Sequence, residues 1–360
     1  MKIVFVLTEI AIGGAERVVL DLCCNLQQRN IKTAVIALKP LNNDDIMVQA
    51  FRSQNIKLYS LNADKKHPFK LFGLRRLITA LAPNVVSSHL FHPNILCRLL
   101  LTGRNFRLIN TIHIMEIRRS QSWRFAADLL TFRMADAHTA VSKAAADFQT
   151  KKLFLPKNAI KVIRNGINIP HSMSKDEILA IRRKWGVDDC HYVFGCVGRL
   201  NHQKGFDLLL NMTDIICKEI KNRKIGLVFI GDGPEKEKLQ KLAEKAHPRM
   251  KTVFAGYSDN AASECSAFDV FLMPSRFEGL PLSLIEATAH GIPITAQNIP
   301  SIAEVLEHYP NAILTDFEHT PYVAAQNIAD SLHKERLVTV HVPTIEKMTD
   351  QYLDIFTGKI

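Results

Sequence analysis

The sequence predicts an α/β fold of two domains, each with a mostly parallel sheet covered by helices on both faces. Three observations lead there. Short apolar runs suited to buried strands alternate with helical periodicity along the chain. At 360 residues, 47% apolar and 22% charged, the polypeptide has the ordinary composition of a soluble globular protein and about twice the length of one domain. Finally, several strand-to-helix junctions carry glycines, cations or carboxylates, and in a parallel sheet such junctions open onto the ligand crevice.

Taken in order, residues 2–8 form an apolar strand and residues 14–29 a helix, joined by Glu9-Ile-Ala-Ile-Gly-Gly-Ala-Glu16. Gly13 and Gly14 permit a tight turn and close approach of backbone N–H groups to a ligand. The third glycine of a dinucleotide fingerprint is missing, and a plain connecting turn remains open. Strands follow at 33–38, 56–61, 85–88, 107–112 and 138–140. Residues 69–81 and 123–133 mix aromatics, leucines and arginines at helical spacing, which suits either a helix packed on the sheet or one lying on an anionic bilayer. His113 directly follows a strand, in position to touch a ligand or to be an ordinary loop histidine; His89 and His92 end another. Residues 174–185 form a helix opened by a capping box of Ser174 and Glu177.

Further on, Gly198-Arg-Leu-Asn-His-Gln-Lys-Gly205 sets Arg199 and Lys204 between a strand (192–197) and a helix (206–220). Arg can grip a phosphate with two N–H bonds and Lys as a point charge. Strands at 225–230 and 252–255 precede the most informative stretch, residues 269–289: a strand to Met273, a loop holding Glu278, and a helix opened by Pro281 that carries Glu286. Both carboxylates can accept from a pair of ligand hydroxyls, or simply favour the helix dipole. Another strand at 291–296 and a closing helix at 343–356 complete the chain.

No apolar run approaches the ~18 residues of a membrane span, and the run from Ile3 is stopped by Thr8 and Glu9, so a cytosolic chain is expected. Seven cysteines, an odd number without C-x-x-C, point to neither a disulfide nor a zinc site. Charge is unevenly divided. Residues 1–170 hold 25 Lys and Arg against 10 Asp and Glu, a net +15; the remainder holds 21 against 25, a net −4. The N-terminal half should therefore meet something anionic.

Four stretches, G-G-A-E from Gly13, V-I-R-N-G-I from Val162, G-R-L-N-H-Q-K-G-F-D from Gly198 and E-G-L-P-L-S-L-I-E-A from Glu278, resemble glycosyltransferase family 4, the retaining transferases of GT-B architecture. The resemblance implies two Rossmann-like domains facing across a cleft: an acceptor-binding domain (1–170), a nucleotide-sugar-binding domain (171–342) and a crossover helix (343–360) returning to the first. It implies that Glu278 and His113 contact the donor hexose and Glu286 the donor ribose. Arg199 and Lys204 neutralise the diphosphate, Gly279, Leu280, Leu282 and Ser283 complete the donor site, and Gly13 and Gly14 lie near diphosphate and acceptor. Ile114 and the segment Gln297-Asn-Ile-Pro300 depart from the family pattern.

The implied reaction moves a hexose or N-acetylhexosamine from a nucleotide-sugar, UDP-linked ahead of GDP-linked, to a hydroxyl of a lipid-linked saccharide, as in bacterial lipopolysaccharide, O-antigen or capsule synthesis. No cofactor and no metal are expected, because no D-x-D is placed to hold a cation and the basic pair can take its role. Combined with the basic half, this reading expects a peripheral protein on the inner face of the cytoplasmic membrane, an anionic membrane surface as partner, and no nucleic acid. Two alternatives are a GT-B sugar-nucleotide epimerase, which would turn over donor without acceptor, and a basic nucleic-acid-binding protein, which would show steep salt dependence.

Overall fold

The structure, a computed structural model, describes residues 1–113, 122–338 and 340–359. The chain divides into two compact units, Met1–Gly166 with Pro343–Ile360, and Ile167–Val342.

The first unit holds a seven-stranded sheet of β1 (Lys2–Leu7), β2 (Lys32–Ala37), β3 (Lys57–Ser60), β4 (Val85–His89), β5 (Arg107–Ile112), β6 (Ala137–Ala140) and β7 (Lys161–Val162), in the order β3-β2-β1-β4-β5-β6-β7. Every pairing is parallel. Helices cover both faces, so inner strands read as unbroken apolar runs, and Ile3 to Leu7 are all buried. Residues of even number in β1, Val4 and Val6, face a cluster with Leu74, Ile78 and Cys97. On Phe5 lies the ring of Phe356, 6.4 Å away, from the terminal helix Ile345–Thr357. That helix also packs on helix Gly14–Gln28 and on β5.

The second unit holds β8 (Tyr192–Val197), β9 (Ile225–Ile230), β10 (Met250–Gly256), β11 (Val270–Met273), β12 (Ile294–Gln297) and β13 (Ala312–Thr315), all parallel, in the order β10-β9-β8-β11-β12-β13. Its two faces are separate cores. Phe194, Cys196, Val270 and Leu272 point into one; Val193, Phe271 and Met273, one residue out of step, point into the other. In both sheets the first strand has its unit's second strand on one side and its fourth on the other. That reversal opens a crevice beyond the carboxyl ends of β1 and β4, and of β8 and β11.

Local sequence rules account for several element ends. Ser174 and Glu177 make the expected capping box at helix Lys175–Trp185. Other boundaries differ from expectation. The helix predicted over 206–220 breaks at Met212 into Phe206–Asn211 and Thr213–Glu219, where the Thr213 hydroxyl donates to the Leu210 carbonyl. Residues 69–81 divide into a 3-10 turn, Pro68–Phe72, and helix Gly73–Leu81. Pro281 is the N-cap of helix Leu282–Ala289 rather than its first residue; its ψ of 116° is extended.

One glycine is sterically required at the second crevice. Gly205 has φ +65°, and a Cβ there would lie 2.2 Å from the Pro274 carbonyl oxygen, which joins the loops after β8 and β11. Gly205→Ala is therefore expected to lower stability in urea denaturation by about 2 kcal/mol or more. Gly205→Asn should fail to rescue it, although Asn tolerates positive φ, because the clash is with Cβ itself.

Candidate functional site

Beyond β8 and β11 the loops bring together residues 74 positions apart. Asn201 caps a 3-10 turn by accepting from the Lys204 amide, which turns the Lys204 side chain toward the loop after β11. There its ammonium meets Glu278 Oε1 at 2.6 Å, with the two side chains only 14% and 6% exposed. Gln203 Nε2 donates to Glu278 Oε2 at 3.3 Å and to the Phe277 carbonyl at 3.0 Å. Ser301 Oγ donates to the Glu278 carbonyl. Below this, Arg276 grips Asp207 with two bonds of 2.8 Å. Although burial opposes ionisation of Asp207, its hydrogen bonds from Arg276 and the guanidinium charge hold it below the usual carboxylate range.

Helix Leu282–Ala289 starts immediately after this loop, so the first-turn amides of Leu282 and Ser283 have no intrahelical acceptor. Gly279 and Leu280 are buried in the approach to it, and Glu286 lies half-buried one turn inside. The Glu286 carboxylate is near enough to Cys265 to help burial push that thiol up. Arg199 projects from the same end of β8; it is exposed and, among the described residues, its guanidinium makes no ion pair. The structure thus joins Lys204 to Glu278 directly and leaves Arg199 open to solvent.

The first unit has its own recess, a cavity of about 300 Å³ beyond the carboxyl ends of β1, β4 and β5. Glu9, His92, His113, Arg124, Phe125 and Asp128 are among its walls. Gly13 caps helix Gly14–Gln28 at φ −171°, which any residue can adopt, and neither Gly13 nor Gly14 has positive φ. The chain bends over residues 11–13 before the helix, and Gly14 provides open space, with no other side chain or segment within 4 Å of where a Cβ would stand.

His89 ends β4 as expected. It does not line the cavity but is wholly buried behind His113, whose Nε2 lies 2.8 Å from His89 Nδ1, while His89 Nε2 lies 3.0 Å from Ser87 Oγ. Burial holds the His113 imidazole down at about 4 and, with the neighbouring ring, puts His89 well below its ordinary value. Deeper still, buried Arg98 donates to Asp128 at 2.6 Å and shares Asn110 with Ser88, and Ser88 donates to Asn94. Periodicity gave no signal for this layer. Its only sequence trace is polar residues in otherwise apolar strands, Ser87-Ser88-His89 and Asn110-Thr111. Ile114 lies outside the described residues.

An outer surface of the same unit is built by neighbouring helices Gly73–Leu81, Phe91–Leu100 and Ser122–Thr131. Leu99, Trp123 and Leu130 are exposed on the second and third of these helices, and Phe69 and Phe72 in the turn that precedes the first; Lys65, Lys66, Arg75, Arg76 and Arg133 are exposed on these or adjoining segments. Among the described residues no helix is long and apolar enough to cross a membrane.

Residues 12–170 match the family model described as Glycosyltransferase Family 4, and residues 177–346 the one described as Glycosyl transferases group 1. The two halves of the chain thus each match a glycosyltransferase family model, the first of them family 4. The chain is 25% identical to N-acetyl-alpha-D-glucosaminyl L-malate synthase of Bacillus anthracis, over 68% of its own length and 64% of that protein. It is 34% identical to the O-antigen biosynthesis glycosyltransferase WclY of Escherichia coli, over 43% and 42%. The matches thus span between about two-fifths and two-thirds of those relatives' lengths. Anabaena HepE, solved in complex with UDP and glucose, has the same fold: TM-score 0.77, 19% identity, 99% of this chain and all of that one covered.

Two expectations concern stability. Removing one partner of the buried pair strands the other, so Glu278→Gln and Lys204→Met should each cost about 3 kcal/mol, and the double variant clearly less than their sum, in urea unfolding without nucleotide. The second follows from the buried histidines; for His138, burial followed by the Arg98 cation lowers the pKa to about 3. Between pH 6.5 and 4 the unfolded chain binds protons that the folded one refuses, so stability rises with pH across that window and is lost on acidification. For His113, a shift from 6.5 to about 4 corresponds to roughly 3 kcal/mol. His113→Asn should flatten the dependence of unfolding free energy on pH by one proton.

Proposed function

We propose that the protein transfers a hexose or N-acetylhexosamine from a UDP-linked donor to a hydroxyl of a lipid-linked saccharide, with retention at the anomeric carbon. The reading applies to bacterial O-antigen, lipopolysaccharide or capsule synthesis, at the inner face of the cytoplasmic membrane. The observation that carries it is the Lys204–Glu278 pair, 2.6 Å apart at the second unit's crevice with Arg199 on the same loop. A nucleotide-sugar supplies what each member would need: a diphosphate to attract Lys204, and sugar hydroxyls to take its place on Glu278.

In this reading Lys204 and Arg199 stabilise the charge that grows on the diphosphate as the glycosidic bond breaks, in place of a metal. The amides of Leu282 and Ser283 and the positive end of their helix favour the same anion. Glu286, one turn inside, accepts from the ribose hydroxyls. The same reading gives His113 of the first unit a sugar oxygen as its ligand. The incoming hydroxyl loses its proton to the departing phosphate, so neither carboxylate has to act as a base. Support for the donor comes from HepE, whose structures carry UDP and UDP-glucose; support for the acceptor comes from relatives such as WclY, named for O-antigen biosynthesis.

The membrane part rests on the helical surface with Phe69, Phe72, Trp123 and Leu130 among arginines and lysines. Shallow insertion of the rings, with about 1 kcal/mol for each cation near an anionic headgroup, gives reversible binding without a spanning helix.

Calorimetry with UDP, GDP, ADP and their hexose conjugates tests the donor. UDP-series binding is expected, weakened about tenfold or more in Arg199→Ala and Glu286→Gln. Equal binding by wild type and variants would remove the assignment. Flotation with vesicles containing anionic lipid should recover the protein at low salt and release it at high salt, and a double Phe69→Ser, Phe72→Ser variant should float less.

A further inference from the structure

The line Ser87–His89–His113 has only two consistent arrangements of protons. In one, His113 Nε2–H donates to His89 Nδ1, His89 Nε2–H donates to Ser87 Oγ, and the Ser87 hydroxyl proton needs an acceptor elsewhere. In the other, Ser87 O–H donates to His89 Nε2, His89 Nδ1–H donates to His113 Nε2, and His113 carries its remaining proton on Nδ1. Ser87 is completely buried, and among the described residues its side chain has no partner but His89. The first arrangement strands a buried hydroxyl proton, which disfavours it roughly tenfold or more. The second satisfies every group in the line.

We infer that Ser87 and His89 are positioning residues that lock His113 as its Nδ1–H tautomer, presenting a hydrogen-bond donor, not a base, to an oxygen-bearing ligand in the first unit's cavity. His89 itself is fixed from behind by the Phe5 ring, 5.8 Å away, so its nitrogens keep their partners. Both imidazoles are neutral at physiological pH because burial disfavours their charged forms, and a neutral ring has one N–H to place. His113 Nδ1 has no partner among the described residues, and the ring lines the cavity. A ligand oxygen such as a sugar hydroxyl or ether accepts from that N–H. Taking it as the donor hexose's oxygen rests on the function proposed above; the tautomer does not.

Long-range ¹⁵N–¹H correlation of histidine-labelled full-length protein reads the tautomer without any substrate. The His113 signals, assigned by their loss in His113→Asn, are expected with a pyrrole-type Nδ1 and a pyridine-type Nε2. Ser87→Ala removes the hydroxyl that sets the direction, and His113 should then show Nδ1 moving toward pyridine-type character. His89→Asn, whose side-chain amide can still donate to His113 Nε2, should keep the wild-type pattern at His113.

With a competent donor and acceptor, Ser87→Ala should lower kcat about tenfold, the size of one hydrogen bond lost in the transition state, while UDP affinity stays unchanged. A wild-type His113 with pyridine-type Nδ1, or a tautomer unmoved by Ser87→Ala, overturns the inference. Absence of transfer with the expected spectrum counts only against the function proposed above.

Discussion

The second unit depends on an ion pair that could not exist on either of its loops alone. Lys204 follows β8 and Glu278 follows β11, neighbouring strands whose connection runs through two further strands. Burying two charges is favourable only when geometry and extra hydrogen bonds offset desolvation. Here the supports are specific: Gln203 on the second carboxylate oxygen, the fork of Arg276 on Asp207, and the glycine that lets the Lys204 loop lie against the Pro274 carbonyl. Because the carboxylate and ammonium already neutralise each other, a ligand of the kind proposed above would exchange partners with a preformed pair. It does not have to assemble charges from solvent, which is how a site stays rigid while empty.

The first unit meets the same problem with neutral groups. Its buried polar layer runs from Ser87 and Ser88 through Asn94 and Asn110 to Arg98, and that buried cation is matched by Asp128. Gln149 donates to the second oxygen of that carboxylate, so Asp128 is committed to structure although it lines the cavity. What the layer offers the cavity is orientation, since rings and amides whose hydrogen bonds are all assigned cannot turn without breaking several at once.

Most strands and their order of appearance were legible because a parallel sheet covered on both faces demands apolar runs, and these mark β1 to β6 and β8 to β12 with only ends displaced; β13, a half-exposed strand at the sheet edge, gave no such run. Single residues were legible where local chemistry suffices, as with the Ser174–Glu177 box. Contacts between separate loops were not. Arg276 in Ser-Arg-Phe-Glu gives no hint that its partner is Asp207, nor does His89 announce that it faces His113 and away from the cavity. Helical periodicity likewise missed the break at Met212, since periodicity records which face is apolar and is blind to a threonine hydroxyl competing for a carbonyl. The resemblance to family 4 supplied roles for Lys204 and Glu278, but their direct pairing is a property of the folded loops.

The division of charge takes on meaning once individual cations are followed into the structure. In the first unit Arg98 is neutralised internally, Arg104 by Asp136, and Arg29 by Asp350 of the terminal helix. Lys65, Lys66, Arg75, Arg76 and Arg133 have no carboxylate partner among the described residues, and neither do Lys32, Lys57, Lys151, Lys157 and Lys161, so the unbalanced charge is spread over the unit and part of it lies on the segments that also expose Phe69, Phe72, Trp123 and Leu130. Solvated cations alone need no explanation, nor do scattered exposed rings. On neighbouring segments of one unit the two occur together, where water rewards the cations and penalises the rings, and that combination is the ground for the membrane surface proposed above.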